Sequence, residues 1–306
     1  MTKHYPNVFV DNFIATKIKM DRIPVRHIKA VEKELVFSES FSIHDVEDLL
    51  AGKDMVQELH RYNFFNILAL ENGTGNHEID FSSHEICNHS VFFMRPGQVH
   101  QLILKAGSTG YLMEFKIDFY FPNDKVSNQL LRKASNKNLY HLDANKFKKL
   151  LSILTSIFQE YTDKQEGYHE VIKANMGIFF IELIRNQQNS KVLSNTNTPY
   201  NQERLEEFLE LLETHIFSQK QVSQYADILN LSSFQLNAIT KATLGKNCSE
   251  LINEYVILES KRYLLATSNK VNQIADHLGC LFQPKSIPVV HSKSIPFLIN
   301  KKAVLL

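Results

Sequence analysis

The spacing of apolar residues changes twice along the chain. Between about residues 25 and 121, short alternating segments at Glu34–Phe37, Asn63–Leu70, Val91–Met94, Gln101–Leu104 and Tyr111–Phe115 are separated by turns at Gly73, Gly75, Gly97 and Gly107 to Gly110. A period of two broken by turn residues predicts strands, and this spacing predicts a small antiparallel barrel or sandwich. After Pro122 the period becomes three to four. Phe147, Leu150, Leu151, Leu154, Ile157, Phe158 and Tyr161 recur in that way, and so do Val171, Ile172, Met176, Phe179, Phe180, Leu183 and Ile184. They predict two amphipathic helices whose stripes are wide enough to serve both the strand-rich unit and a second copy of the chain.

Periodicity then stops. Gln187–Tyr200 is rich in Asn, Ser and Thr and predicts a linker. Beyond it, Leu205, Phe208, Leu209 and Leu212 predict one helix and Val222–Leu229 a second. Ser232 is placed to cap a third helix with Leu236 and Ile239 inward, and Gly245 to end it. Glu250–Leu265 predicts a long fourth helix. Val222–Leu229 returns 49 residues later as Val271–Leu278, with Val, Gln, Ala, Asp and Leu in register. The expected fold is α+β: a strand-rich domain with flanking helices over 1–187, a linker over 188–200 and an all-α domain over 201–306.

Composition narrows the class. The 306 residues are 43% hydrophobic and 22% charged, as in globular chains, and their number suits two domains. Met1–Met20 has no signal-peptide pattern, and runs such as Met176–Ile184 are too short to span a bilayer, so a cytoplasmic protein without membrane partners is expected. Cys87, Cys248 and Cys280 are too few and too scattered for a disulfide framework or a Cys-based zinc site. Net charge is +1, but from His215 onward ten Lys and Arg stand against five Asp and Glu, after a run of Glu203, Glu206, Glu207, Glu210 and Glu213. That bias fits a DNA-binding end without establishing one.

A support helix at Val222–Leu229, a turn at Asn230–Ser232 and a following helix make a helix-turn-helix. Tyr225–Ser232, Gln235–Leu236, Lys241, Gly245, Leu251–Ile252, Lys261–Arg262, Leu264–Leu265 and Ile274–Gly279 together resemble the AraC/XylS family of transcription regulators, over residues 215–279. The resemblance implies two helix-turn-helix units on one linker helix, control of transcription (usually activation), double-stranded DNA as partner and RNA polymerase as a further candidate. It assigns DNA contact to Ser233, Phe234, Gln235, Asn237, Ala238 and Lys241. An Asn amide can bond an adenine edge, Phe can contact a thymine methyl, and Lys241 would meet phosphate. Ala238 stands where the family often has Arg, and Thr240 where an aromatic is usual.

The second unit departs from the pattern. After Gly279 the chain meets Pro284, Pro288 and Pro296, and nothing matches the family's second recognition helix. Two explanations stand: a frame change in the coding sequence, or a specialised tail. On either, residues 280–306 are expected to form no recognition helix, Val271–Leu278 to lose its cover, and DNA affinity to fall.

In the first half, His60–Gly73 and Pro96–His100 resemble the two motifs of a cupin barrel. His60 and Gly73 keep the first motif's spacing, but Tyr62 and Asn66 stand where a second His and a Glu would be. A site holding two of four ligands argues against a metal and against a metal-dependent enzyme. No cofactor and no catalytic residue is expected. His60, Tyr62, Asn66, Arg95, Gln98 and His100 are instead expected to line the polar end of a pocket for a small polar effector. The leading reading is a dimeric, effector-sensing transcription regulator. Its rivals are a regulator defective in DNA binding and a small-molecule cupin enzyme.

Overall fold

The computed structural model describes residues 22–28, 40–120, 124–188 and 199–279. The strand expected at Glu34–Phe37, most of the expected linker and the tail from Cys280 lie outside the described residues. Ten strands are described: β1 (Val25–Arg26), β2 (Phe41–Asp45), β3 (Met55–Tyr62), β4 (Phe65–Asn72), β5 (Gly75–Ile79), β6 (Ser82–Ile86), β7 (Ser90–Met94), β8 (Val99–Leu104), β9 (Thr109–Phe115) and β10 (Leu139–His141). They form two five-stranded sheets, ordered β1-β3-β8-β5-β6 and β10-β7-β4-β9-β2. The expected barrel is corrected to a sandwich. Among the described residues no ladder joins the sheets, which are held by the side chains between them. All pairings are antiparallel except β1 with β3.

The second sheet is the middle layer of three. Alternation along β4 and β7 sends Leu68, Leu70, Phe92 and Met94 into the core between the sheets. It sends Ile67, Ala69, Val91 and Phe93 to the opposite core, under the helices. That is why these strands read as nearly unbroken apolar runs. The outer layer is α2 (Lys125–Ser135), α3 (Ala144–Asp163) and α4 (Tyr168–Gln188). Leu150, Leu154, Ile157, Met176, Phe179, Phe180 and Leu183 are all fully buried in it, so the two predicted stripes are largely consumed within the domain, while Val171 stays 40% exposed.

The helical half consists of α5 (Pro199–His215), α6 (Val222–Ile228), α7 (Ser233–Leu244), α8 (Cys248–Ala266) and α9 (Val271–His277). Local chemistry sets their ends. Asn230 takes φ +53° after α6, Ser232 and Gln235 form a reciprocal cap on α7, and Gly245 ends α7 at φ +72°. Ala226, 1% exposed, lets α6 and α7 approach, and Leu236 and Ile239 bury the inner face of α7.

The halves meet through charge. The β5–β6 turn places Asp80 and Phe81 at φ +44° and +71°. Arg262 of α8 meets Asp80 side-on, donating from Nε to Oδ1 at 2.7 Å and from Nη2 to Oδ2 at 2.6 Å. Arg262 also pairs with Glu259, which faces Arg61 of β3 at 3.5 Å. Burial opposes the Arg262 charge, yet Asp80 and Glu259 together raise its pKa above the ordinary arginine value. On α5, Glu210 pairs with Arg132 and Glu213 with Arg95. The acidic run before His215 is therefore partly docking surface.

One expectation about α9 is corrected here. Its apolar face keeps a cover: Ile274 and Leu278 are 3% and 1% exposed, packed with Tyr263, Ile23 and Val99. The sandwich takes part in that cover. Arg262→Met leaves Asp80 and Glu259 without their buried cation, and removing one member of a buried pair costs roughly 3 kcal/mol or more. Urea denaturation should show that loss, with faster amide exchange over 259–263 and 271–278. Unchanged exchange there would show that the ion chain does not hold the halves together.

Candidate effector pocket and DNA-facing helix

Between the sheets lies a space of about 340 Å³, counting its open mouth. In the state described its interior is narrow enough to hold on the order of one water. Val46 and Leu49 of α1 (Val46–Leu50), with Met55, Leu68, Met94, Leu102, Leu104 and Leu112, make its apolar wall. Gln57, Tyr62, Asn66, His77 and His100 make its polar end.

Strand register assembles that end. β3 and β8 pair His60 with His100, and β5 on the other side of β8 pairs His77 with Leu102. The rings of His60 and His100 lie 4.3 Å apart, and those of Tyr62 and His100 4.6 Å. His77 Nε2 and His100 Nδ1 share a hydrogen bond of 3.2 Å. His60 Nδ1 donates to the Glu58 carbonyl at 2.6 Å, the Tyr62 hydroxyl to Gln57 Oε1 at 3.1 Å, and Asn66 Nδ2 to Glu114 Oε1 at 3.1 Å. Four buried atoms keep no partner: His60 Nε2, His77 Nδ1, His100 Nε2 and Asn66 Oδ1.

Four of the six expected effector residues thus converge, His60 as a brace behind His100 and the other three on the pocket wall. Arg95 and Gln98 do not. Gly97, at φ +84°, turns the chain so that Gln98 folds back onto the Arg95 amide and donates to Asp80 at 2.9 Å, while Arg95 points to Glu213. Both belong to the contact between the halves. His77, Gln57 and Glu114 were missed. His77 was legible only through the alternation of Gly75, His77 and Ile79, hidden in the polar hairpin β5–β6. Among the described residues no group of three or more His, Cys, Asp and Glu is placed to hold a metal ion, and no helix is long and apolar enough to cross a membrane.

On α7 the six expected DNA contacts divide. Phe234 is 83% exposed, and Ala238 and Lys241 are exposed beside it. Gln235 is exposed but its Oε1 accepts from the Ser232 amide and hydroxyl. Ser233 lends its carbonyl to Asn237 Nδ2 at 2.9 Å, and Asn237 Oδ1 accepts from the Cys248 amide at 2.9 Å. The Asn237 amide is used at both ends to fasten α7 to the start of α8. Thr240, fully buried, fills the aromatic's place by bonding the Asn237 carbonyl and facing Cys248.

No protein-family model and no curated protein matches the chain. Solved structures that resemble it include ToxT from Vibrio cholerae strain SCE256 with an unsaturated fatty acid bound, 18% identical over 78% of this chain and 86% of that one, with a TM-score of 0.37. ToxT from Vibrio cholerae O395 bound to (E)-4-(8-methylnaphthalen-1-yl)but-3-enoic acid is 16% identical over 78% and 90%, with a TM-score of 0.36. The AraC-like transcriptional activator CuxR is 11% identical over 79% of each chain, with a TM-score of 0.32. Overlaps of this size leave the functional reading to the residues themselves.

Burial, then neighbouring histidines, lowers the pKa of His77 from 6.5 to about 3 and that of His100 from 6.5 to about 2. Because both folded values lie below the unfolded one, acid favours the unfolded chain. The stability is whole above pH 6.5 and is lost as pH falls from there toward about 3, by up to ~1.4 kcal/mol per pH unit for each ring. Urea titrations between pH 7 and 5 should show that slope, reduced by one proton's share in His77→Gln. Equal slopes in the two proteins would mean that His77 is charged in the folded state.

Proposed function

We propose that the chain is a DNA-binding transcription regulator in which the β-sandwich senses a small effector and α7 enters the major groove. One observation carries this reading: α7 is capped at both ends, buries its inner face against α5, α6 and α8, and leaves Phe234, Ala238 and Lys241 exposed on its outer face among the described residues. A short helix kept rigid with one side open is what groove insertion requires. Phe234 and Ala238 both suit thymine methyl groups, and Lys241 suits a phosphate.

The effector signal has a direct path in this reading. Asp80 follows β5 three residues after His77, and Val99, which donates to Asp80 at 3.2 Å, precedes His100 on β8. A ligand that shifts His77 and His100 pulls on the two segments that hold Arg262.

A specific observation favours the second reading, a regulator with impaired grip. Between residues 199 and 279 seven Lys and Arg stand against ten Asp and Glu. Arg262 is spent on Asp80, and Lys246 pairs with Glu254 at 2.7 Å. Since phosphate neutralisation supplies most non-specific affinity, binding should be weak and steeply salt-dependent. In anisotropy titrations at low salt, Lys241→Ala should weaken binding on every duplex and reduce the salt slope by about one. Phe234→Ala should erase preference at a thymine, at about 1 kcal/mol or more. If both variants bind like the parent, α7 does not face DNA.

The homodimer belongs to this proposal, on a surface that shares Val171 with the stripe the sequence suggested but otherwise lies beside it. Val171, Ala174, Ile178, Ile181 and Arg185 lie on the exposed side of α4 at alternating steps of three and four, the spacing of a coiled-coil seam. Ile178 is 48% exposed. Light scattering should give a mass near twice 35.4 kDa for the parent and near 35.4 kDa for Ile178→Glu. A parent that stays monomeric at tens of micromolar would remove the dimer from the reading.

A further inference from the structure

We propose that the outer face of the first sheet, around Val56 and Ile103, is a docking site for residues 280–306 of this chain. The docking needs neither an effector nor DNA.

Alternation along the strands gives that sheet two unlike faces. Gln57 of β3, His77 of β5 and His100, Leu102 and Leu104 of β8 turn inward to the pocket. Their neighbours Val56, Asn76, Glu78, Gln101 and Ile103 turn outward. Val56 and Ile103 stand opposite each other across β3 and β8, 67% and 42% exposed, and make an apolar spot on a polar face. Carboxylates surround it. Glu58 follows Val56 on β3, Glu78 lies across from Gln101 and accepts from its amide at 2.9 Å, and Glu85 of β6 lies across from Asn76. Among the described residues, this part of the face holds three carboxylates and no cation.

The occupant follows from what covers the rest of the same face. The next outward position on β8 is Val99, which is buried in one cluster with Tyr263 of α8 and Ile274 and Leu278 of α9. On β3, Leu59 packs against that cluster and Arg61 faces Glu259. The open patch is therefore a continuation of the contact between the halves. The chain leaves α9 at this border, for Leu278 is 1% exposed within the cluster and Gly279 follows at φ +65°. Ile103 lies about 13 Å along β8 from Val99, a distance that an extended chain covers in about four residues.

Charge selects the segment. Residues 280–306 bring Lys285, Lys293, Lys301 and Lys302 with no Asp or Glu, and apolar runs at 289–290 and 297–299. Residues 1–21, which also join the described chain beside this cluster, carry Lys3, Lys17 and Lys19 against Asp11 and Asp21, so their charge nearly cancels. A wholly basic set of side chains around apolar runs complements an acidic face with an apolar centre. Docked there, the tail forms a second tie between the halves beside the ion chain.

The test uses the full chain, mixed in equal parts from natural and heavy-nitrogen stocks, and a carbodiimide that joins a carboxylate directly to an amine. Mass spectrometry of the digest should find Glu58, Glu78 or Glu85 joined to Lys285, Lys293, Lys301 or Lys302, with both peptides of one isotope. Ile103→Arg, which puts a cation at the apolar centre, should cut that yield at least tenfold, and Ile103→Val should leave it nearly unchanged. Since Ile103 is exposed, neither variant disturbs the core. Tail links of mixed isotope only would make a second copy the occupant and overturn the assignment. Links of the three carboxylates to Lys3, Lys17 or Lys19 alone would overturn it in favour of residues 1–21. Equal tail links to Glu166, exposed beyond the helical layer, would mean chance collision and overturn it as well. So would the absence of any tail link.

Discussion

Arg262 is a buried cation, and a buried cation must have its counter-charges beside it. That requirement fixes the arrangement of the molecule. Asp80 meets the guanidinium side-on from a β5–β6 turn that holds positive φ at two successive residues, neither of them glycine. Glu259, one turn before Arg262 on α8, stays buried with Arg262 and Arg61 of β3 as its counter-charges. Four charges in a row thus tie two strands of one sheet to one helix of the other half. The apolar contacts around Tyr263, Ile23, Val99, Ile274 and Leu278 fill the space this alignment leaves.

The pocket is placed by the same strands. His77 and His100 stand inside the sandwich on β5 and β8, and the ends of those strands leave it as the Asp80 turn and the Gln98–Val99 corner. The candidate pocket and the contact between the halves lie at two ends of one hairpin and one neighbour. In the proposed reading a ligand would bias that contact only as far as it prefers one spacing of the two imidazoles over another.

Much of the helical half was legible because its signals are local. The Ser232–Gln235 cap, Gly245, the small Ala226 and the duplicated Val222–Leu229 each depend on neighbours a few positions away, and each falls where the residues place it. The β half was legible only in part. Strands β4, β7, β8 and β9 were visible as apolar alternation, but the hairpin of β5 and β6 was not, since Asn76, Glu78, Ser83 and Glu85 look outward and make it read as loop. His77 was lost with it. Arg95 and Gln98 were misplaced because their closeness to His100 in the chain says nothing about the direction of a turn. Asn237 shows a further limit: its type suits a base edge, but the amide of Cys248, eleven residues on, competes for it.

The two copies of the repeat differ in their surroundings. α6 packs under α7, whose outer face is exposed among the described residues. α9, the sequence twin of α6, buries Ile274 against Tyr263 and Leu278 beneath Phe217, with His277 bonded to the Tyr263 hydroxyl at 2.9 Å. Val99 of the sandwich and Ile23 complete that packing, so α9 is fastened to the sandwich by the surface around the ion chain. In the proposed regulator, a ligand that loosened Arg262 from Asp80 would weaken the surface that α9 shares with the sandwich, and that change is the route by which it would alter the hold of α7 on DNA.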